Sequence, residues 1–374
     1  MQQKFLILGI PPGGLFMARQ LRKAWPDSII YAIGDPKHDI GRYSNAINCF
    51  YAASTSEQII AAVNQAYEDM GKGVVKAYMC SNSMLEFLVG SHPEVFDFLE
   101  FENPFEVYQK LVDKVEVDQL CRHLNITRPK EYNLFDITAL EKSFPVVIKP
   151  LNKSLTIGAS KCAYIADAQQ LRTYMSKLDA LGVDRHSFVC QQCVEGDNRW
   201  EYGYGGYFKE GKPLVDICFH QFKQVPQGLC CYSREMTNQT LQQQIKDLVI
   251  PLLLRFNYNG FIEFDVKQDA NSKVLYLLDV NPRPWRSVDM LVVKLGDSTI
   301  FTPSLNDKKV EWHYRYRELY SKKNKKNVSY KVCRRLTGRE SFVSLETLYD
   351  PNDREPLRQQ RRLDGISLLK KLKK

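Results

Sequence analysis

The sequence has no hydrophobic run that approaches the roughly 20 apolar residues needed to cross a bilayer. Its start, MQQKFLILGIPPGG, holds only a short apolar run that leads into a Pro-Gly turn, where a secretory signal would have a small-residue cleavage site. The composition, with 44% hydrophobic and 25% charged residues over 374 positions, is that of a globular protein with two or three packed units. We therefore expect a cytoplasmic protein.

Acidic residues are scarce in the last part of the chain. Residues 307–374 hold 20 Lys+Arg against 9 Asp+Glu, a net charge of +11, so residues 1–306 carry about −2 of the total of +9. The basic segment is either a solvated extension or a contact to the anionic inner face of a membrane or to a lipid-linked substrate, aided by its ISLLKKLKK end. No nucleic-acid partner is expected, because the main body is near neutral and lacks aromatic-rich basic strands.

With no secretion signal, the ten cysteines are expected to stay reduced. Cys190 and Cys193, together with Cys230 and Cys231, could be drawn as a four-thiolate zinc site. Buried thiols are the preferred interpretation, because the first pair lies in a strand-like run and adjacent cysteines are poor ligand spacing.

The first hundred residues lack a dinucleotide-binding fingerprint. The strand-like segments KFLILGI, SIIYAIGD and VVKAYMCSNS alternate with helical ones, which predicts a parallel, doubly wound sheet. The turn GIPPGG does not have the GxGxxG spacing, and Pro11 and Pro12 remove backbone donors that would bind a pyrophosphate, so a nicotinamide-dependent enzyme is poorly supported. Ligands of such sheets bind beyond the carboxyl ends of the strands, here near residues 11–14, 34–35 and 81–83.

The remainder of the chain predicts α+β structure with antiparallel strands. A helical segment reaches about Leu124 and is followed by the strand FPVVIKP, the polar loop 152–161 and another strand ending in CAYI. The stretch from SFV to KPL then predicts two or three antiparallel strands. The helix LQQQIKDLVIPLLLRF then leads into a hairpin from GFIEFDV to LLDVNPRPW. From Asp307 onward we expect irregular structure.

Two lysines are candidates for binding the phosphates of a nucleotide. Lys114 opens a helix and Lys149 ends the strand VVIKP, so they come from separate elements and could hold phosphates as point charges. The small polar loop 152–161 could fold its backbone N–H groups over the same phosphates. Taken singly, each feature is also typical of an ordinary surface.

The predicted hairpin carries a candidate metal site. Glu263 and Asp265 alternate on one strand, and Asp279 and Asn281 alternate on the next, so the hairpin brings the two pairs side by side. One or two carboxylates with an amide oxygen suit Mg²⁺, which takes its other ligands from phosphate and water. Arg283, two residues further, could neutralise charge on a transferring phosphoryl group. A solvated hairpin face is the alternative.

In this order, the motifs resemble those of the ATP-grasp superfamily, which includes D-alanine–D-alanine ligase, biotin carboxylase and carbamoyl phosphate synthetase. The resemblance covers roughly residues 1–290 and rests on DK, VIKP, QQCVEGDN, GFIEFD and LLDVNPRPW. It implies an N-terminal parallel Rossmann-like (pre-ATP-grasp) sheet followed by a two-lobed ATP-grasp domain with antiparallel sheets. The expected domains are the pre-ATP-grasp domain (residues 1–105), the small lobe (106–180), the large lobe with the metal site (181–306) and a basic C-terminal extension (307–374).

The resemblance also implies a set of nucleotide-binding residues. The segment 191–198 would frame adenine and hold the ribose, although Gln191 and Gln192 stand where the family usually has an acidic residue. Lys114 and Lys149 would contact the phosphates, and Gln191, Gln192 and Val194 would frame the adenine. Asp197 or Asn198 would hold the ribose, and Lys223 is a weaker candidate for the γ-phosphate.

The implied metal ligands are Asp279, Asn281 and either Asp265 or Glu263, with Asp279 standing where the family usually has Glu. The implied catalytic residues are Lys149 and Arg283, the latter facing an acyl phosphate. The cofactors would be ATP and Mg²⁺, two ions being expected and Mn²⁺ being the alternative.

The implied reaction is the ATP-dependent joining of a carboxylate to an amine through an acyl phosphate. The carboxylate would be a small molecule or a glycan, and the closest subfamily resemblance is to ligases linked to bacterial cell-surface polymers. A homodimer is compatible with this interpretation. The alternative function is a nucleotide-binding regulatory protein that kept the fold and lost turnover.

Overall fold

The computed structural model describes residues 2–90, 96–136, 140, 142–151, 162–225, 229–314 and 342–372. Within them the chain forms three β-sheets of five, seven and four strands. The fold predicted from the sequence, a parallel N-terminal sheet followed by antiparallel sheets, is confirmed. None of the helices in these ranges is both long and apolar enough to cross a membrane.

The first sheet is parallel and lies near the N-terminus. Its strands alternate with helices because short β-branched and aromatic runs are separated by segments with apolar residues at helical spacing. The helices that connect or follow its strands are α1 (Pro12–Ala24), α2 (Ser56–Asp69) and α3 (Asn82–Gly90). The strands, in the spatial order β3-β2-β1-β4-β5, are β1 (Lys4–Leu8), β2 (Ile29–Gly34), β3 (Cys49–Ala52), β4 (Val75–Met79) and β5 (Leu99–Phe101).

The turn between β1 and α1 packs closely against two distant segments of the chain, at Ser81 and Pro284. Gly9 has a φ of +83°, and a Cβ atom there would lie 2.3 Å from Ser81 Oγ. At Gly13, a Cβ atom would lie 2.7 Å from the carbonyl oxygen of Pro284. These two glycines therefore allow the carboxyl end of β1 to approach both β4 and the segment after the last hairpin strand.

The second sheet is the largest and is mostly antiparallel. Helices α4 (Phe105–Val112), α5 (Lys114–His123) and α7 (Gln239–Arg255) pack on one face, while α1 and α8 (Met290–Leu295) pack on the other. The strands, in the spatial order β14-β13-β10-β11-β12-β15-β16, are β10 (Glu201–Lys209), β11 (Lys212–Val225), β12 (Leu229–Glu235), β13 (Gly260–Gln268), β14 (Leu275–Asn281), β15 (Lys309–His313) and β16 (Phe342–Glu346).

The third sheet is small and is covered by α6 (Ala168–Ala180), which starts with Asp167 as its N-cap. It includes β9, although the sequence analysis placed the end of the small lobe at residue 180; β9 pairs antiparallel with β7. The strands, in the spatial order β6-β9-β7-β8, are β6 (Glu131–Tyr132), β7 (Val146–Pro150), β8 (Ala163–Ile165) and β9 (Phe188–Gln192).

The expectation of irregular structure after Asp307 is wrong for the part of that segment described. β15 pairs with β12, β16 pairs with β15, and the chain continues into α9 (Glu355–Leu372). Trp312 is fully buried, and Asp353 accepts a hydrogen bond from Arg19 Nε of α1 at 2.9 Å. The excess of basic residues concealed β15, a five-residue strand of the large sheet that buries Val310 and Trp312.

The four cysteines considered as a zinc site do not converge. Cys190 is buried in the core of the small sheet, and Cys231 is buried in the core shared by α1 and the large sheet. Cys230 and Cys231 are neighbours on β12, and Cys193 follows β9. Among the described residues, these cysteines form no group that could hold a metal ion.

Candidate functional site

A cavity of about 700 Å³ lies where the three sheets meet. The carboxyl ends of β1 and β4 form one end, the β13–β14 hairpin forms the wall, and β7 and β9 of the small sheet contribute the other end. The predicted site residues that line this cavity are Lys114, Lys149, Gln191, Glu263, Asp265, Asp279, Asn281 and Arg283.

The carboxylates are positioned by the register of the hairpin. Glu263 pairs with Asn281 and Asp265 pairs with Asp279, so the four side chains share one face of two adjacent strands. The register then shifts, because Val266 pairs with Leu277 and leaves Leu278 as an extra residue. This bulge interrupts the ladder next to Asp279, beside the cavity.

Hydrogen bonds hold the acidic groups together. The Asn281 amide nitrogen lies 3.4 Å from Glu263 Oε2 and 3.4 Å from Asp265 Oδ2, and Gln221 Nε2 donates to Asp265 Oδ1 at 2.7 Å. The Val280 N–H donates to Asp279 Oδ1 at 3.0 Å. A rotation of the Asn281 amide by about 180° exchanges its nitrogen for its oxygen, which would turn the same cluster into a set of oxygen ligands.

This set of oxygen donors suits Mg²⁺ better than an ion whose ligands all come from the protein. Among the described residues, no three His, Cys, Asp or Glu side chains are assembled to hold a metal ion. The hairpin instead offers carboxylates and one amide at the cavity wall, and Mg²⁺ needs only one or two carboxylates when phosphates and water supply the rest. Both Glu263 and Asp265 face Asn281, so either can serve as the first carboxylate.

Two lysines approach the cavity from the small-sheet side. Lys149, on β7, is half-buried; burial lowers the pKa of its ammonium, and the nearby carboxylates of Asp279 and Asp265 oppose that shift. Lys114 Nζ donates to the carbonyl oxygens of Pro150 and, at 3.2 Å, of Leu151. Lys114 is thus held at the end of the strand that carries Lys149, and both charges face one cavity.

The segment predicted to frame adenine is only partly in the wall. Gln191 is buried, and its amide nitrogen donates to Glu131 Oε1 at 3.0 Å. The Gln192 side chain accepts from the Lys130 N–H at 3.4 Å; Val194 is buried, and neither residue lines the cavity. The roles predicted for these three residues stay predictions.

The residues predicted to hold the ribose, Asp197 or Asn198, do not line the cavity. Asp197 caps a short 3-10 turn, Asn198–Trp200, and its carboxylate is 2.9 Å from Arg199 Nε. Asn198 starts that turn. The polar loop 152–161 and the side chain of Lys223 lie outside the described part of the structure.

Arg283 marks the end of the cavity nearest the N-terminal sheet. Its Nε donates to Asn82 Oδ1 at the start of α3, and its Nη1 donates to the Pro284 carbonyl at 2.9 Å. Ser81 and Ser83, whose hydroxyl oxygens are 3.2 Å apart, line the same end. The sequence predicted ligand binding at 81–83, and the structure places these residues beside Arg283.

Sequence reasoning missed two residues of this wall. Gln221, on β11, fixes the orientation of Asp265. Arg128 lies between α5 and β6 and lines the cavity near Lys149. Neither belongs to a recognisable motif, because each is a single polar residue whose position depends on contacts between distant parts of the chain.

The chain was compared with protein-family models, with curated proteins and with solved structures. No protein-family model matches the chain. It is 20% identical over 305 residues to a D-aspartate ligase from Enterococcus faecium, covering 75% of this chain and 71% of the ligase. It is 23% identical over 203 residues to a D-alanine–D-alanine ligase from Xanthomonas axonopodis pv. citri, covering 49% of this chain and 59% of that ligase. The second match thus spans less than two thirds of that ligase.

Solved structures match most of the chain. An N5-carboxyaminoimidazole synthetase from Staphylococcus aureus, complexed with ADP, superposes with a TM-score of 0.62 and 12% identity, covering 83% of this chain and 82% of that one. The biotin carboxylase domain of a Hydrogenobacter thermophilus 2-oxoglutarate carboxylase, complexed with MgADP and bicarbonate, gives a TM-score of 0.60 with 11% identity over 80% and 68% of the two chains.

The chain has the ATP-grasp fold. The matched ligases and structures share it, which confirms the resemblance seen in the motifs. In this ATP-grasp chain the β13–β14 hairpin and β7 bring together the acidic and basic residues on which that resemblance rests.

Proposed function

We propose that the chain is an ATP-dependent ligase that activates a carboxylate as an acyl phosphate with Mg-ATP and joins it to an amine. The observation that carries this proposal is the register of the β13–β14 hairpin, which sets Glu263 and Asp265 opposite Asn281 and Asp279 on the wall that Lys149 also faces. The ligase names of the matched proteins support the same reaction class.

The residues divide into three groups along the cavity. Lys114 and Lys149 would hold the phosphates of ATP as point charges. Asp279, Asn281 and Asp265 or Glu263 would hold Mg²⁺, which would neutralise negative charge of the bound phosphates. The adjoining segment 191–198 would receive the adenosine.

Arg283 would act at the reacting end. Asn82 and the Pro284 carbonyl fix its guanidinium, so it offers an oriented positive charge without further reorganisation. An oxygen of the substrate carboxylate attacks the γ-phosphorus, and the bond from phosphorus to the β–γ bridging oxygen breaks to release ADP. The amine then attacks the acyl carbon, and phosphate leaves as the bond between the acyl carbon and the phosphate oxygen breaks. The amine loses its proton to solvent.

The carboxylate substrate would lie between Arg283 and the ends of β1 and β4. Ser81, Ser83 and the half-buried Arg286 line this end of the cavity. Their mixture of hydroxyls and a second guanidinium suits an acid that carries further polar groups. Since the matched ligases are named for D-aspartate and D-alanine, D-amino acids are the first substrates to test.

Three finer proposals concern the biological setting. A role in bacterial cell-surface polymer synthesis, assembly as a homodimer and contact of the basic segment with anionic lipid all remain predictions. Residues 315–341 and 373–374 of that segment lie outside the described part of the structure. Membrane contact predicts association with anionic vesicles that weakens as salt is added, and salt-independent solubility without vesicle binding would contradict it.

The reaction is tested by trapping the acyl phosphate with hydroxylamine. The chain is incubated with Mg-ATP, hydroxylamine and separate pools of D-amino acids, L-amino acids, uronic acids and hydroxy acids, and hydroxamate and ADP are measured. Asp279→Asn removes one predicted metal ligand, and Asp247→Asn removes an exposed carboxylate of α7 as the matched control.

Hydroxamate formed from one pool by the wild type and by Asp247→Asn, but not by Asp279→Asn, would support the ligase and identify the class of acid. If the wild type binds MgADP yet forms neither hydroxamate nor ADP from any pool, the proposal fails and the nucleotide-binding regulator becomes the better interpretation.

A further inference from the structure

Arg128 is held at the cavity by the backbone that precedes it. The Thr127 carbonyl accepts a hydrogen bond of 2.9 Å from the N–H of Leu277, near the start of β14. The segment between α5 and β6 is therefore attached to the strand that carries Asp279 and Asn281. Arg128 lines the same cavity as these residues.

The guanidinium of Arg128 is buried without adequate compensation. Its side chain is 7% exposed, and within the described residues its Nε and Nη1 atoms have no hydrogen-bond partner. Asp118 Oδ1 lies 3.5 Å from Nε, but Asp118 also pairs with the exposed Arg122. One carboxylate shared by two guanidinium groups leaves an excess of positive charge, and a buried cation without full pairing is costly.

A second cation lies close to this one. The positive charge of Arg128 contributes to lowering the pKa of Lys149, after the larger effect of burial. Two cations on one wall repel each other unless an anion lies between them. The wall is therefore arranged for an anionic ligand that both can contact.

Position along β14 indicates which part of a ligand this is. Counted from Leu277, where Thr127 is attached, Asp279 is two residues further and Arg283 is six residues further along the chain. At about 3.3 Å per residue of extended strand, the metal carboxylates begin roughly 7 Å away, and Arg283 lies beyond the end of β14 at Asn281. Arg128 is thus on the nucleotide side of the metal site, away from the end that would hold the substrate carboxylate.

We propose that Arg128 is a third phosphate-binding cation, which contacts the α- or β-phosphate of the nucleotide together with Lys114 and Lys149. The inference rests on the proposed binding of Mg-ATP. Its planar guanidinium presents paired N–H donors that match two phosphate oxygens, which an ammonium group does not. Binding of the phosphate would supply the partners that the buried N–H groups lack.

The test compares two arginines that share one partner. Arg128→Met removes the buried charge at the cavity, and Arg122→Met removes the exposed charge that pairs with the same Asp118. Isothermal titration calorimetry gives the Kd of MgADP and of adenosine for the wild type, both variants and Arg128→Lys. Thermal unfolding of each protein reports separately on folding.

We expect Arg128→Met to weaken MgADP at least tenfold while the Kd of adenosine changes less than twofold. Arg128→Lys should lose less, and Arg122→Met should match the wild type with both ligands. If Arg128→Met does not fold, Arg128→Lys decides: a loss specific to MgADP supports the proposal. Equal effects on the two ligands, or no effect on MgADP, would assign Arg128 a purely structural role with Asp118 and overturn the proposal. A wild type that binds no MgADP would instead refute the proposed function.

Discussion

Glu102 offers a quantitative test of how the N-terminal sheet and the large sheet are joined. Its carboxylate accepts a hydrogen bond of 2.5 Å from the Tyr207 hydroxyl, and a Cβ atom added to Gly260 would lie 2.3 Å from Glu102 Oε2. Together with Arg283 and Pro284 it lines a small pocket beneath the end of the hairpin. Burial raises the pKa of Glu102 to about 7, and the Tyr207 hydrogen bond offsets part of that increase.

The sign and size of the effect follow from this pKa. The ordinary value is 4.5, so the folded state prefers the protonated carboxyl. The stability from this group is therefore fully present below pH 4.5 and is lost as the pH rises through about 7. A change of one pKa unit corresponds to about 1.4 kcal/mol, which gives a loss of about 3 kcal/mol in the free energy of unfolding by pH 8.

Glu102→Gln should remove this loss, because the glutamine amide keeps an acceptor for Tyr207 and cannot ionise. Urea unfolding of the wild type and the variant at pH 5, 6, 7 and 8 measures the difference in free energy of unfolding at each pH. That difference should shift in favour of the variant by about 2–3 kcal/mol between pH 5 and pH 8. Glu100→Gln, an exposed change on β5 just before Glu102, is the control and should show a flat difference. A flat difference for Glu102→Gln as well would refute the reasoning.

Three further predictions concern ligand binding and the C-terminal segment. Lys149→Met should weaken MgADP about tenfold or more in calorimetry, whereas Lys177→Met, on the exposed face of α6, should leave it unchanged. Removing Mg²⁺ with a chelator should weaken ADP binding at least tenfold in the wild type and much less in Asp279→Asn. Equal losses of affinity in the two proteins would show that Asp279 is not a metal ligand. Asp353→Ala removes the carboxylate that accepts from half-buried Arg19 and buried Ser44 and should lower the free energy of unfolding by about 3 kcal/mol, while Asp350→Ala, partly exposed and 3.9 Å from Arg19, should cost less than about 1 kcal/mol. Similar urea midpoints for the last two variants would contradict the assigned contacts.

The parts of the fold that sequence reasoning predicts are those specified by local patterns. Alternating strands and helices predict the N-terminal parallel sheet, and the period of two in GFIEFDV and LLDVN predicts which side chains of the hairpin share a face. The pairing of Glu263 with Asn281 and of Asp265 with Asp279 depends only on the strands and the turn between them. The candidate metal site could therefore be assembled from the sequence.

The missed features all depend on contacts between distant residues. β15 is a five-residue strand within a basic segment, and only its pairing with β12 identifies it as part of the large sheet. β9 follows α6 in the chain but pairs with β7, so a boundary drawn from chain order separated it from its sheet. Arg128 has no local signal at all, because its burial results from α5, β6 and β14 together. Composition and period cannot report such packing.

The charges that line the cavity suggest why the nucleotide and the metal would bind together. A triphosphate that entered alone would meet the three carboxylates of the hairpin at the point where its own negative charge is greatest, and repulsion between like charges would oppose binding. A divalent cation alone would meet the cations of the small-sheet side. Only the two ligands together place positive charge on the hairpin and negative charge on the lysines, so each should raise the affinity of the other. The charged residues that line the cavity are Lys114, Arg128, Lys149, Arg283 and Arg286 on the positive side and Glu201, Glu263, Asp265 and Asp279 on the negative side.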